Sequence, residues 1–469
     1  MRRSLAAIIV AIAGASCHSG APLPPAEAIV NGTVAGVRAD TIDEQASIRI
    51  QQGKWEARNT SGATGFWDNI AVLDIASAER AAVSLDERTF AAALRLLMAG
   101  KPEDASVAFR AIANDARDPL VRIRARIGLT IALSWNSDWP ALASIGEAAD
   151  SSTASDPLMQ QAAVEHWAHA LGNFPPPRID VPELPFTVAL RRSEFGTPLV
   201  TVRINGKPRE FWLDTGASMT LISTSAAVDA GVRLASDDTL ALGVVSGHIG
   251  ARAVMIDSLG LGGVVARGLS AALVNPDALR LDRRMVNGVM QSVQIDGVIG
   301  TDILRHVDLV LDAEEGTITM RKPRRDSRTV RNLFWVGYPV VRFVTRDGHT
   351  ALFGLDTGAD GTYITTSMLR KEPDTRVALR RGVIGGLGSA ENQTKWVVRD
   401  LGLSDGDYAL NLHNIPVAPE RRWTFVTFDG IIGSDVALHT RLHLDFVNGV
   451  FDVRRPASTP GGPNVIVAH

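Results

Sequence analysis

The chain is short of cysteine, of tyrosine and of any surplus of charge, and two of these shortages exclude whole classes of protein. A single cysteine, Cys17, in 469 residues allows no internal disulfide and no thiolate metal cluster, so the folded domains rest on their cores. Lys and Arg number 48 against 51 Asp and Glu, a formal net charge of −3 with both signs mixed along the chain. That balance leaves no basic stripe for nucleic acid or for an anionic membrane surface. No phosphate-cradling glycine loop occurs. His439 and His443 stand four apart but run into a strand-like stretch with no third ligand, and His248 is alone. Neither a metal nor a cofactor is therefore expected. What remains is ordinary for a soluble globular protein: 45% apolar and 21% charged residues, with a length that implies about three domains.

The N-terminus departs from this pattern. Arg2 and Arg3 precede an apolar stretch from Leu5 to Ala15 that is too short to span a bilayer, and "GASC" follows at 14–17. A basic start, a short apolar core and small residues predict an export signal over 1–17. "GASC" resembles a bacterial lipoprotein box, although Gly14 stands where an aliphatic residue is usual. Lipidation of Cys17, and an exported periplasmic or envelope-anchored protein, are the expectations; an ordinary signal cut at a small residue is the alternative. Residues 18–80 carry no clear pattern.

Residues 81–173 are helical by periodicity. "TFAAALRLLMAG", "EDASVAFRAIAND", "PLVRIRARIGLTIALSW", "WPALASIGEAA" and "PLMQQAAVEHWAHAL" carry apolar residues three and four apart, separated by Pro, Gly, Asp and Asn. Ala105, Phe109 and Ile112 recur 36 residues later as Ala141, Ile145 and Ala148. Small-then-large residues at that period suit nested antiparallel helices. "AGKPEDASVAFRAIANDARDP" resembles a tetratricopeptide unit, with Gly100, Ala105 and Phe109 on the motif positions. Five prolines in "FPPPRIDVPELP" (174–185) then read as a semi-rigid linker.

Beyond the linker Val, Thr, Ile, Phe and Gly dominate in short alternating runs bounded by turns, so this region is mainly β. It is also duplicated. "FWLDTGAS" at 211–218 returns as "FGLDTGAD" at 353–360, 142 residues on. Each copy follows a hairpin, and each is followed by Asp-Gly-aliphatic-Ile-Gly-polar-Asp, "DGVIGTD" at 296–302 and "DGIIGSD" at 429–435. The expected arrangement is two lobes, 186–325 and 326–455, about an approximate two-fold axis, with a loose tail over 456–469.

The paired motifs resemble those of aspartic proteases. "LDTGADGT" and the glycine-rich "VIGGLGSA" (383–390) lean toward the retroviral type, while two lobes in one chain are similar to the pepsin-like enzymes. The whole is thus expected to be multidomain: an all-α, tetratricopeptide-like N-terminal region followed by a two-lobed aspartic protease domain with pseudo-two-fold symmetry. The chemistry can be argued from the residues. Hydrolysis of a peptide bond without metal or covalent nucleophile needs a base for the attacking water and an acid for the carbonyl oxygen. Two carboxyls about 3 Å apart cannot both ionise and so keep one proton between them. Asp214 and Asp356 are the candidates, acting on a peptide or protein substrate, in a chain that works as a monomer because it carries both. Gly216 and Gly358 allow the sharp turn and close approach. The resemblance implies that Thr215 and Thr357 bond across the interface, and that Asp302 and Asp435 support it. Gly300 and Gly433 are expected beneath the loops. Ala217 and Ala359 occupy a position where many acid proteases carry a hydroxyl; without one the pair should hold its proton to higher pH, giving a mildly acidic to near-neutral optimum. Glycine-rich stretches around Gly247 and His248, and around Gly385 and Gly386, are the candidate flaps; the first lacks the tyrosine of pepsin-like flaps. Two other readings fit the same sequence: a non-catalytic peptide-binding protein with a protease-like cleft, and a helical scaffold with a structural β domain.

Overall fold

In the computed structural model the alternating stretches of the C-terminal region become two eleven-stranded sheets joined by a five-stranded one. The structure describes residues 7–12, 41–42, 46–58, 64–145, 156–193, 198–244, 247–284, 290–326, 328–359, 361–372, 374–386, 389–455 and 464–468. Cys17 lies outside them. The protein is mainly β, with its longer helices toward the N-terminus. Among the described residues no helix is long and apolar enough to cross a membrane.

Each half of the β region repeats one local plan. Pro198–Ile204 buries alternate residues and pairs with Lys207–Leu213. The latter runs parallel to Gly297–Ile299, which is in turn antiparallel to Leu221–Ser223. In the second half Pro339–Thr345 pairs with Thr350–Leu355, which runs parallel to Gly430–Ile432, itself antiparallel to Tyr363–Thr365. The Asp-Thr-Gly segment of each half therefore leaves a strand at the middle of a sheet and returns on the far side of the strand beside it. The five-stranded sheet joins the halves: Asp308–Asp312 pairs with Arg441–Asp445, and Asp308 accepts from His443 Nε2 (2.7 Å) and Arg321 Nε (2.6 Å).

The helices form where periodicity places them, at Leu85–Met98, Pro102–Asp115, Pro119–Ser134 and Asp156–Leu171. Ser84 and Glu87 close a reciprocal cap on the first. Phe109 packs on Gly128 so closely that a Cβ there would lie 2.6 Å from its ring. Of the 36-residue repeat, Ala148 lies outside the described residues. Ala141 falls in the five-residue helix Trp139–Ala143, where Trp139 Nε1 donates to Ser270 Oγ of the first half (2.7 Å). That helix packs on Asp156–Leu171 and on the β region together.

Several boundaries move. Residues 18–80 are not featureless: Ala46–Gln52 lies between Tyr408–Ala418 and Asn464–Ala468 in the second half's sheet, and Phe66–Ala71 and Ile75–Ala81 are helices. The proline-rich 174–185 contributes Arg178–Asp180 to the first half's sheet, because the chain between its prolines is free to pair at an edge. The tail over 456–469 likewise holds the strand Asn464–Ala468. Ala7–Ile12, within the apolar stretch read as an export signal, is a strand parallel to Leu240–Val244.

The helical region spans both halves. Trp139 and Trp167 reach the first half, while Phe90 stacks edge-on to Phe425 of the second (5.9 Å). Arg305 of the first half, fully buried, sits over Trp135 of a helix and Trp335 of the second half and donates to Ser137 Oγ.

Candidate active site

Asp214 and Asp356 end their strands as fully buried residues, their amides bound to the carbonyls of Ile299 (3.0 Å) and Ile432 (2.9 Å). Their carboxyls come within hydrogen-bond reach of each other. Each loop folds its carboxyl back on its own amides. Gly216 and Ala217 donate to Asp214 Oδ1 (2.7 and 3.3 Å), and Gly358 and Ala359 to Asp356 Oδ1 (2.9 and 3.0 Å). Burial pushes Asp214 up to about 6, opposed by these amides and by the Asp356 carboxyl.

The two threonines lock the loops together in both directions. Thr215 N–H donates to Thr357 Oγ1 and Thr357 N–H to Thr215 Oγ1, both at 3.0 Å. Each hydroxyl donates onward to the opposite strand, Thr215 Oγ1 to Leu355 O (3.0 Å) and Thr357 Oγ1 to Leu213 O (2.8 Å). The glycines matter here for space rather than for an unusual φ. A Cβ on Gly216 would lie 2.4 Å from Asp356 Oδ1, and one on Gly358 would lie 2.4 Å from Asp214 Oδ2. Neither loop tolerates even alanine without moving the opposite carboxyl.

Below the loops, a Cβ on Gly300 would meet Ala217 O at 2.7 Å, and one on Gly433 the Gly361 backbone at 2.4 Å. Asp302 accepts from Thr220 N–H (2.8 Å) and Oγ1 (3.0 Å); Asp435 accepts from Thr362 N–H (2.8 Å) and Oγ1 (2.7 Å). Burial raises both carboxyls, Asp302 to about 6. These acids brace the chain leaving each loop and do not touch the pair.

The flap candidates are hairpins with two-residue loops. Gly247 pairs with Val244 and His248 with Gly243, while Gly385 pairs with Ala390 and Gly386 with Ser389. A further hairpin of the first half, Arg280–Arg284 with Met290–Gln294, lies against the second one. An open cavity of about 510 Å³ lined by His166, His169 and Asp238 shares no residue with the aspartate pair, and both histidines are exposed.

One site residue escaped the sequence reading. Tyr338, buried, donates its hydroxyl to Asp356 Oδ2 at 3.0 Å. The carboxyl beside Ala359 thus has a hydroxyl after all, from another strand. Its only sequence signal is its place before Pro339, at the start of the strand that pairs with the one ending in Asp356.

Residues 200–303 match the aspartyl protease family model. That segment carries the first loop and ends just past Gly300, so the aspartyl-protease match covers one half of the site. Two solved structures are similar over part of the chain. The aspartic proteinase from Irpex lacteus is 12% identical with a TM-score of 0.37, covering 59% of this chain and 99% of its own. The retropepsin-like aspartic protease from Rickettsia conorii is 12% identical with a TM-score of 0.19, covering 31% and 93%. No curated protein matches the chain. The aspartyl protease match supports an aspartic peptidase in general.

Proposed function

We propose that the protein is an aspartic endopeptidase in which Asp214 and Asp356 share one proton and activate a water between them. The observation that carries this reading is the contact of two buried carboxyls from two duplicated loops, tied by reciprocal threonine bonds. Two carboxylates could not stay that close if both were charged. In the attack, the charged carboxylate takes a proton from water as the water oxygen bonds to the peptide carbon. The protonated partner gives its proton to the carbonyl oxygen, leaving a neutral gem-diol. The carboxyl that took the water's proton passes it to the amide nitrogen while its partner takes a proton from a gem-diol hydroxyl. The C–N bond breaks, the carboxyl product and amine leave, and the pair again holds one proton. The titration belongs to the pair, and burial of Asp214 supports activity at mildly acidic to near-neutral pH.

The glycine-rich hairpins serve as flaps that close over the peptide and exclude water. The two halves are lobes about an approximate two-fold axis, and the chain acts as a monomer because it supplies both aspartates. The basic, apolar leader and "GASC" support export to the envelope, with Cys17 as the point of lipid attachment. A peptide-library digest from pH 3 to 8 tests the reading, comparing the parent with Asp214→Asn and Asp356→Asn. Parent cleavage lost in both variants is the expected result. Cleavage indifferent to either substitution, or capture of peptides without cleavage at any pH, overturns it.

A further inference from the structure

The two carboxyls are not equivalent. Asp356 accepts three hydrogen bonds, two from amides on Oδ1 and one from Tyr338 on Oδ2. Asp214 accepts two amides on Oδ1, one of them at 3.3 Å, while its buried Oδ2 has no hydrogen-bond partner among the described residues. The Gly358 amide donates to Asp356 Oδ1 and, from beside the pair, also lowers Asp214.

The difference is written in the sequence at two places that face each other. Val340 pairs with Gly354, so the register brings Tyr338 level with Asp356. Gly354 makes the room: a Cβ there would lie 2.8 Å from Tyr338 Cε1. Phe428 supports the ring, with centroids 5.6 Å apart. In the first half Leu199 pairs with Trp212, which stands two residues before Asp214 as Gly354 stands two before Asp356. The first half has no tyrosine in its sequence, and it lacks the gap that admits one.

We propose that Tyr338 is a positioning residue that sets the polarity of the pair, holding the negative charge on Asp356 and the proton on Asp214. A phenol donating to a carboxylate favours its charged form, and an oxygen without a donor is where a shared proton finds its place. Asp356 is then the base toward water and Asp214 the acid toward the carbonyl oxygen. Among the described residues, the other charged groups on the elements packed here face elsewhere. Asp302 and Asp435 hold Thr220 and Thr362, Arg305 lies between Trp135 and Trp335, and Asp429 behind Phe428 pairs with Lys371. Their contributions are common to parent and variant.

The inference rests on the peptidase reading, and its test separates the two. The pH profile of kcat/KM is measured on a fluorogenic peptide containing a bond cleaved in the library digest. The proteins are the parent, Tyr338→Phe, and the full chain with a ring-fluorinated tyrosine at 338. Phenylalanine should move the acidic limb up by about one pH unit, and the fluorinated phenol, a stronger donor of nearly the same shape, should move it down. The fluorinated protein keeps the test open if phenylalanine impairs folding. Carbon-13 carboxyl shifts of aspartate-labelled protein read the same displacement without turnover. Unmoved limbs, or an equal loss of rate at every pH, overturn the role of Tyr338 while leaving the peptidase standing, provided both asparagine variants are inactive. Cleavage that survives those variants overturns the peptidase reading and this inference with it.

Discussion

Replacing Thr357 by valine tests whether the threonine bonds or general packing keep the two loops in place. Valine matches threonine in shape, so the substitution opens no cavity and removes only an oxygen. That oxygen accepts from Thr215 N–H at 3.0 Å and donates to Leu213 O at 2.8 Å, both in a fully buried setting. Stranding a buried backbone group costs about 1–3 kcal/mol, so two of them imply a loss of about 2–6 kcal/mol in the free energy of opening the loop. At about 1.4 kcal/mol per tenfold, protection of the Thr215 amide should fall by roughly 30- to 20,000-fold in native-state hydrogen exchange. Thr357→Ser keeps the hydroxyl and should retain most of the protection. Peptide cleavage should fall with protection, because small displacements of reacting groups cost on the order of 100-fold in rate. Unchanged exchange at Thr215 in the valine variant would refute the interlock and leave packing as the agent.

Adding a hydroxyl beside each carboxyl should have unequal effects. Ala217→Ser offers a donor to Asp214, whose Oδ2 has none, and should lower the acidic limb of the pH–rate profile. Ala359→Ser adds to three existing bonds and should lower it less, so an upward shift in either refutes the argument. Asp302, raised by burial from 3.8 to about 6, binds its proton more tightly in the folded protein than in the unfolded chain. Stability should therefore fall as pH rises from about 4 to 6; Asp302→Asn should flatten that part of a urea-midpoint profile, whatever its constant cost. Deleting residues 1–80 takes the strand Ala46–Gln52 out of the second sheet and two helices off the surface. The remainder should be insoluble or lose cooperative melting, and a stable, active remainder would show these elements to be dispensable.

The parts of the site written in short, repeated stretches were legible in the sequence. Asp-Thr-Gly and the later Ile-Gly-polar-Asp declare themselves because backbone turns and close contacts restrict consecutive residues. Tyr338 was not legible, because its partner lies 18 residues away and is fixed by strand register rather than spacing. Ala46–Gln52 alternates as a strand should, "ASIRIQQ", but seven residues do not name a partner, and Tyr408 opposite Gln52 lies near the other end of the chain. Trp135 ends one periodic stretch, and its place beside Arg305 depends on which face of that helix meets the β region. Periodicity reveals that a face is buried and is silent about what buries it.

The placement of Ala46–Gln52 bears on the order of assembly. A ribosome releases this segment early, yet Tyr408–Ala418 and Asn464–Ala468, which flank it, follow more than 350 residues later (408 − 52 = 356). Until then its edges stay open to any neighbouring strand, and chaperone cover would be most valuable in that interval. Because Asp356 lies in the half that this strand completes, the proposed site would be finished only once those distant strands have closed on it, whatever order the rest of the chain follows.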